Sequence, residues 1–422
     1  MKKTILSTAI ALALGFSSGA FADNTVGVSQ NGNSNIAVIS QGIGVTGATV
    51  SVSENGSGND ADVTQKNSGA TPMSVNMTLN GNGNYVGIIQ DGSTDSQGTF
   101  VQTGNTQTDV ATINQTGATR STARIDQTNI QMDPNEGNNN AQINQTTGDS
   151  LSALITQDSS QFAVTTISQT GSLNDATINQ IGVVGNGVKI NAAISQAGHN
   201  HVARIDQSDS WFSSATINQT DPNGSFNTAG ISQLGMSDNA IATITQSGSN
   251  HNATIKQSQG SDSAIASITQ IGTSLSAAIT QDNSQFANAS IHQNGTSTNK
   301  LLYSASISQT GLSDYASATI DQIGSDNLAT IAQTNAMSSQ ASIKQNGSLN
   351  YASITQSAAY NIASIDQVGT NLSATTSQSG MGISSMLPNI ITIAQAGNGI
   401  RQVATASQTV GAGNNIKITQ GL

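Results

Sequence analysis

Four histidines, His199, His201, His251 and His292, are the side chains of this 422-residue chain best suited to hold a metal ion. A zinc-like site needs three or four ligands converging at about 2 Å. His201 and His251 occupy the same place in a repeated pattern, four strands apart. Two rungs of a stacked sheet would separate them by roughly 10 Å, too far to share an ion. His199 and His201 are close, but no third strong ligand stands beside them, so structural histidine is the better reading. Nucleophilic and acid–base chemistry fare no better. Serine and threonine abound without a positioned base, no acidic pair marks a pocket, and cysteine is absent. Calcium-binding repeats would need Gly-Gly-x-Gly-x-Asp turns, which are missing. The sequence therefore predicts no catalytic, cofactor or metal site, and a protein that is not an enzyme.

The chemistry that recurs is hydrogen bonding by side-chain amides. "QNGNSNIAVISQ" at Gln30–Gln41 returns as "QNGSLNYASITQ" at Gln345–Gln356, and Gln169–Gln180 and Gln322–Gln333 follow the same pattern. The fixed points are Gln, then Gly two residues on, Asn five on, Ala seven on and Gln eleven on. A looser Ala-x-Ile-x-Gln unit ends at 30 glutamines along the chain, mostly 11 to 13 residues apart, with Glu54 and Asn80 standing where two more fall. A fixed period sustained over a whole chain signifies a repeat architecture.

The elements that position these amides follow from parity. In "NSNIAVISQ", Asn35, Ala37, Ile39 and Gln41 alternate with Ile36, Val38 and Ser40. Successive strand side chains point to opposite faces, so the first four share an inner face. Asn174, Ala176, Ile178 and Gln180 repeat this, as do Asn327 to Gln333 and Asn350 to Gln356. Gly32, Gly171, Gly324 and Gly347 supply the positive φ of a tight reversal between strands. Buried amides are costly unless paired. Stacking identical rungs sets Gln30, Gln41, Gln169, Gln180, Gln322, Gln333, Gln345 and Gln356 each over another Gln. The same rule sets Asn35, Asn174, Asn327 and Asn350 over Asn, so each amide donates to one neighbour and accepts from the other. The expected fold class is all-β: a β-solenoid of stacked, cross-β-like β-arches with about 15–16 two-strand rungs, roughly 75 Å long at about 4.8 Å per rung. Glycine arcs follow strands of one parity at Gln30 and Glu54 but of the other parity at Gln169, Gln246, Gln322 and Gln345. That predicts one irregular unit near "SVNMTLNGNG". Insertions at 128–139, 181–189, 294–302 and 379–388 read as loops.

"MKKTILSTAIALALGFSSGAFA" has two lysines, an apolar run and a terminal Ala-Phe-Ala, the form of a secretory signal cleaved between Ala22 and Asp23. Residues 1–22 are thus expected to be a signal peptide, and 23–422 a single repeat domain. Only 8% of residues are charged and 3% aromatic. Without Lys2 and Lys3 the balance is 10 basic to 23 acidic residues, net −13, which speaks against nucleic acid or anionic lipid as partners. No other segment is long and apolar enough for membrane insertion as a helix. Export without cysteine leaves no disulfide framework.

The motif Gln-x-Gly-x-x-Asn-x-Ala-x-x-x-Gln resembles the second half of the curlin repeat of bacterial curli amyloid subunits. It is complete at Gln30–Gln41, Gln169–Gln180, Gln322–Gln333 and Gln345–Gln356; Glu54–Gln65 departs only in its first residue. The resemblance implies secretion through an outer-membrane pore with periplasmic chaperones. It also implies nucleated assembly with another curlin subunit or nucleator, and extracellular fibres at the bacterial surface that build biofilm. Two features differ from the familiar curlins. The strand ending at Gln30 follows almost directly on Ala22, leaving a short address segment, and the repeats are several-fold more numerous.

Solenoid ends expose unpaired backbone groups that natural folds usually block. The first and last units, around Gln30 and Gln420, read as ordinary strands, so axial self-association is expected. Asp126, Asp206, Asp321 and Asp366, just before ladder glutamines on the outer parity, fit gatekeepers against premature assembly or plain solvated surface. The rival reading is a monomeric secreted solenoid whose Thr/Ser face makes it an adhesin or ice-binding protein. Against it, one outer position runs Thr245, Lys256, Thr269, Thr280, His292, Ser308, Asp321, Ala332 and Lys344, a mixture where ice would need uniformity.

Overall fold

The computed structural model describes residues 10–14, 24–42, 44–67, 72–107, 109–128, 139–182, 190–297, 303–398, 401–409 and 411–421. Ala22 and Asp23 lie outside these residues, as do 129–138, 183–189 and 298–302 of the expected loops. Regular structure among the described residues is all β, with no helix, and strands alternate between two parallel sheets. Sheet 1 opens with Thr25–Asn31, against which Thr49–Ser57 lies parallel. Sheet 2 carries Ile36–Gln41, against which Asp60–Lys66 lies parallel. The chain thus crosses from sheet to sheet at every arc and returns to the same sheet one turn later, forming a β-solenoid.

Two compact units divide the chain, Met1–Phe212 and Ser213–Leu422. Counted within them, strands stacking on their successors close about 14 turns of two strands, and the 32 strands from Thr25–Asn31 to Asn415–Gln420 agree with the 15–16 rungs expected.

Burial follows the parity. Ile36–Gln41 alternates exposed and buried, with Ala37 and Ile39 at 1% and 2% exposure. On most strands the core is one Ala and one Ile deep, as at Ala329 and Ile331 or Ala352 and Ile354. So thin a core cannot offset the ordering of one rung, which makes stability cooperative along the stack.

Gly32, Gly171, Gly324 and Gly347 have the positive φ expected of the reversal, between 104° and 135°, and a second positive φ stands two places on, at Ser34 (58°), Leu173 (56°), Asp326 (51°) and Leu349 (57°). The glycines serve another need as well. A Cβ on Gly347 would stand 1.8 Å from the Gly369 carbonyl oxygen, and on Gly32 1.6 Å from that of Gly56. The glycines stack in columns where one arc's carbonyl fills the space a side chain would take.

In the first unit the glycine column changes sides. Gly32, Gly56 and Gly81 lie on arcs leaving sheet 1, whereas Gly148, Gly171 and Gly198 lie on arcs leaving sheet 2. No strand is lost between them. The irregularity near "SVNMTLNGNG" is a register shift between Leu79 and Gly81 where Ser74–Asn82 meets Gln97–Gln107. Residues 379–388 form an irregular loop with Met381, Ile383 and Met386 exposed.

Ile10–Leu14, within the expected signal peptide, is a strand paired parallel on Ile36–Gln41, with Leu14 opposite Gln41.

Candidate functional site

The inner glutamines form chains of amide-to-amide hydrogen bonds. In the first unit Gln41, Gln65, Gln90, Gln115, Gln145 and Gln169 each donate from Nε2 to Oε1 of the next, ending on Gln196, at 2.8–3.0 Å. On sheet 1, Gln127, Gln157 and Gln180 do the same, ending on Gln207, at 2.8–3.2 Å. The second unit is more regular. Gln219 to Gln420 on sheet 2 forms an unbroken series that includes Gln322 and Gln345. Gln233 to Gln408 on sheet 1 includes Gln333 and Gln356. In each of these bonds the donor points toward the C-terminal end.

The second amide proton is used as well. Gln333 Nε2 donates to Ser339 O at 3.2 Å across its arc and to Ser317 O at 3.3 Å, besides Gln356 Oε1 at 2.8 Å. Such a glutamine ties successive rungs together and pins the arc beside it. In a parallel stack this arrangement satisfies a fully buried amide with one rule.

Asparagine works differently from the expected Asn-over-Asn ladder. Asn327 Nδ2 donates to Gly347 O at 3.0 Å, and its Oδ1 accepts the backbone N–H of Asn350 at 3.1 Å. Asn350 repeats this with Gly369 O and Leu372 N, and Asn35 with Gly56 O and Asn59 N. Asn174 does so with Gly198 O and His201 N. Glycine and asparagine of the motif are thus one device. The missing Cβ admits the next rung's carbonyl, and the asparagine amide satisfies it.

This explains the histidines. His251 stands in the asparagine column, fully buried; Nε2 bonds Ser247 O at 3.2 Å, and Nδ1 accepts Leu275 N–H at 3.4 Å. The imidazole replaces an amide as donor and acceptor. His201 is buried at the corresponding place, with its N–H on Asn174 Oδ1. His292 lies on the outer face, 2.9 Å from Asp321. Among the described residues no group of three metal-ligating side chains occurs.

Two residues depart from the ladder. Leu79, not Asn80, occupies the ladder position between Glu54 and Gln102. Leucine cannot donate, and Gln102 Oε1 is left buried and unpaired. Glu54 accepts from Gln30 Nε2 and is 1% exposed, while its Oε1 has no partner. Burial pushes its carboxyl up to about 7, against the lowering by Gln30, with Asp60 adding repulsion. Asp109 stands in an asparagine position and accepts Asn139 N–H at 3.1 Å; burial raises it too to about 7. Gln30 itself is half-buried, on the first strand of sheet 1.

Sequence reasoning overlooked a second set of arc residues. Ser261, Ser284 and Ser313 are buried, and each hydroxyl donates to a ladder-residue carbonyl one turn on: Gln281 O, Gln309 O and Gln333 O at 3.0–3.1 Å. Their signal is Ser-x-x-Ala before the strand, as in Ser261–Ala264, Ser284–Ala287 and Ser313–Ala316. Of the outer aspartates, Asp126 pairs with Arg124 and Asp206 with Arg204, both exposed ion pairs of small energetic weight.

A repeat solenoid whose core is laced with self-complementary amides is a structural repeat protein by construction. The family model of the Curlin associated repeat matches residues 314–347 and 336–369, which contain the complete motifs at Gln322–Gln333 and Gln345–Gln356. Residues 314–369 thus carry the curlin-associated repeat. No curated protein matches it.

Proposed function

We propose that this chain is a structural subunit of extracellular curli-like amyloid fibres, exported by its signal peptide and polymerised by end-to-end stacking of rungs. The role is architectural and not catalytic. The observation that carries it is Gln41, the first glutamine of its ladder. Its Oε1 is buried and unpaired, an acceptor awaiting the Nε2 of a preceding glutamine. Gln420, the last of the same sheet's ladder, accepts from Gln395 at 2.8 Å and presents its own amide onward, bonded to Val403 O. Donor and acceptor match in chemistry. A second copy would continue both ladders. In this reading Ile10–Leu14 occupies the edge of Ile36–Gln41 until the signal peptide leaves. Curlin membership brings with it a nucleating subunit, a secretion pore and a chaperone as partners, and biofilm attachment as the use.

The test is to dilute the chain from Asp23 out of denaturant to micromolar concentration. Fibres with reflections near 4.7 and 10 Å are expected. A monomer that persists for days, unseeded by its own sonicated material, refutes the proposal. A second reading, a monomeric ice-binding or adhesive solenoid, draws on hydroxyl side chains gathered on sheet 1 of the second unit; thermal hysteresis in dilute monomer would favour it.

A further inference from the structure

Because strands alternate between sheets, the outer residues sort into two faces that the linear sequence interleaves. In the second unit a charged column stands on sheet 2. His292, Asp321, Lys344 and Asp366 stack on four successive strands. Sheet 1 is different. Its strands Ser276–Asp282, Ser304–Thr310, Leu328–Thr334, Tyr351–Gln356, Leu372–Gln378 and Gln402–Gln408 pair in unshifted register. One outer column reads Ala278, Ser306, Thr330, Ser353, Thr375, Thr405, and the next Thr280, Ser308, Ala332, Thr355, Ser377, Ser407. Neither contains a charge. Beside them Leu328, Tyr351 and Val403 add apolar surface, the last two 40% and 53% exposed. Lys256, Asp282 and Arg401 lie at the margins.

We infer that this face of sheet 1 packs against the same face of a second copy, joining two solenoids side by side. Small neutral side chains on a flat, in-register sheet are what dry sheet-to-sheet interfaces are made of. Hydroxyls both donate and accept, so the surface is complementary to itself. Charge would have to be desolvated in such a contact, and it is absent here while present on the opposite face. Six strands about 4.8 Å apart and seven residues long cover roughly 650 Å² per copy. A pair buries about 1,300 Å², within the range of specific interfaces. This lateral contact goes beyond axial stacking and does not rest on it.

The chain has no cysteine, so single substitutions are clean probes. Thr330→Cys, Ser353→Cys and Thr375→Cys are placed on this face and Thr319→Cys on sheet 2 as control. Each is treated, singly and mixed, with a bis-maleimide spanning about 10 Å, the spacing of packed sheets. Each cysteine occurs once per copy, so end-to-end neighbours hold theirs far apart and only face-to-face copies cross-link. The expected result is covalent dimer from at least one sheet 1 combination, at least tenfold above the control. Adding Thr280→Lys and Thr355→Lys should abolish it. Cross-linking no higher than the control overturns the inference, as does cross-linking that survives the two lysines. Thermal hysteresis without cross-linking would assign the face to ice, which also overturns it. Whether the same samples sediment as fibres is read separately and reports on axial stacking alone.

Discussion

Replacing Glu54 by glutamine should change how the first rungs respond to pH. The Glu54 carboxyl is 1% exposed and has its folded value raised to about 7, against about 4.3 in an unfolded chain. The folded state therefore holds the proton more tightly. Below about pH 4 both states are protonated and stability is highest. It falls as pH rises from about 4 to about 7, by roughly 3 kcal/mol in all, and is flat above about pH 8. Glu54→Gln removes this slope. The introduced side chain still accepts from Gln30, but its new amide donor faces Leu79, which adds an offset of about 1–3 kcal/mol that does not vary with pH. Variant minus wild type should therefore shift by about 3 kcal/mol in the variant's favour between pH 4 and pH 8. Asp109 titrates alike in both chains and cancels. The measurement is hydrogen-exchange protection of Thr49–Ser57, corrected for intrinsic rates, on freshly diluted monomer. A difference that is the same at pH 4 and pH 8 would refute the reasoning, because Glu54 would then not ionise within the fold. Adding Leu79→Gln, which gives Gln102 Oε1 a donor, should raise protection at both pH values.

Gln333→Leu repeats in the second unit what Leu79 does in the first. Gln356 Oε1 loses its donor, and we expect a loss of about 2–4 kcal/mol in denaturant unfolding of that unit. An effect below about 0.5 kcal/mol would contradict the ladder's energetic role. Gly347→Ala forces a Cβ to within 1.8 Å of Gly369 O at a φ of 135°, whereas Gly235, at φ 61°, has nothing within 4 Å. Gly235→Ala should cost about 1 kcal/mol and Gly347→Ala more than about 3 kcal/mol. Equal midpoints for the two variants would show that close arc stacking does not matter.

The repeating inner face was legible because strand parity has a period of two whatever the partner strand. Asn35, Ala37, Ile39 and Gln41 are buried for the same reason in every copy. The glutamine ladder was legible too, since stacking in register places identical residues over one another and Gln can pair with Gln. Asn80 was misplaced because an amide was sought at the ladder position, which in this copy is held by Leu79, one residue earlier. The buried serines of Ser-x-x-Ala were missed because a hydroxyl in a polar arc looks like solvent-facing surface until the next rung's carbonyl is in place.

By itself, then, the sequence determined the element type, the inner face, the parallel stack and the amide that bridges its rungs. All of these follow from residue spacing within one strand and its nearest copies. Only the tertiary structure decided what lies one turn away. It made glycine a seat for the carbonyl above and turned asparagine toward that carbonyl instead of another asparagine. It also sent alternate strands to opposite sheets, stacking His292, Asp321, Lys344 and Asp366 in one column of sheet 2 and leaving two outer columns of six sheet 1 strands uncharged. Those outcomes depend on contacts between residues 19 to 30 positions apart, a distance the period reveals but the local pattern does not orient.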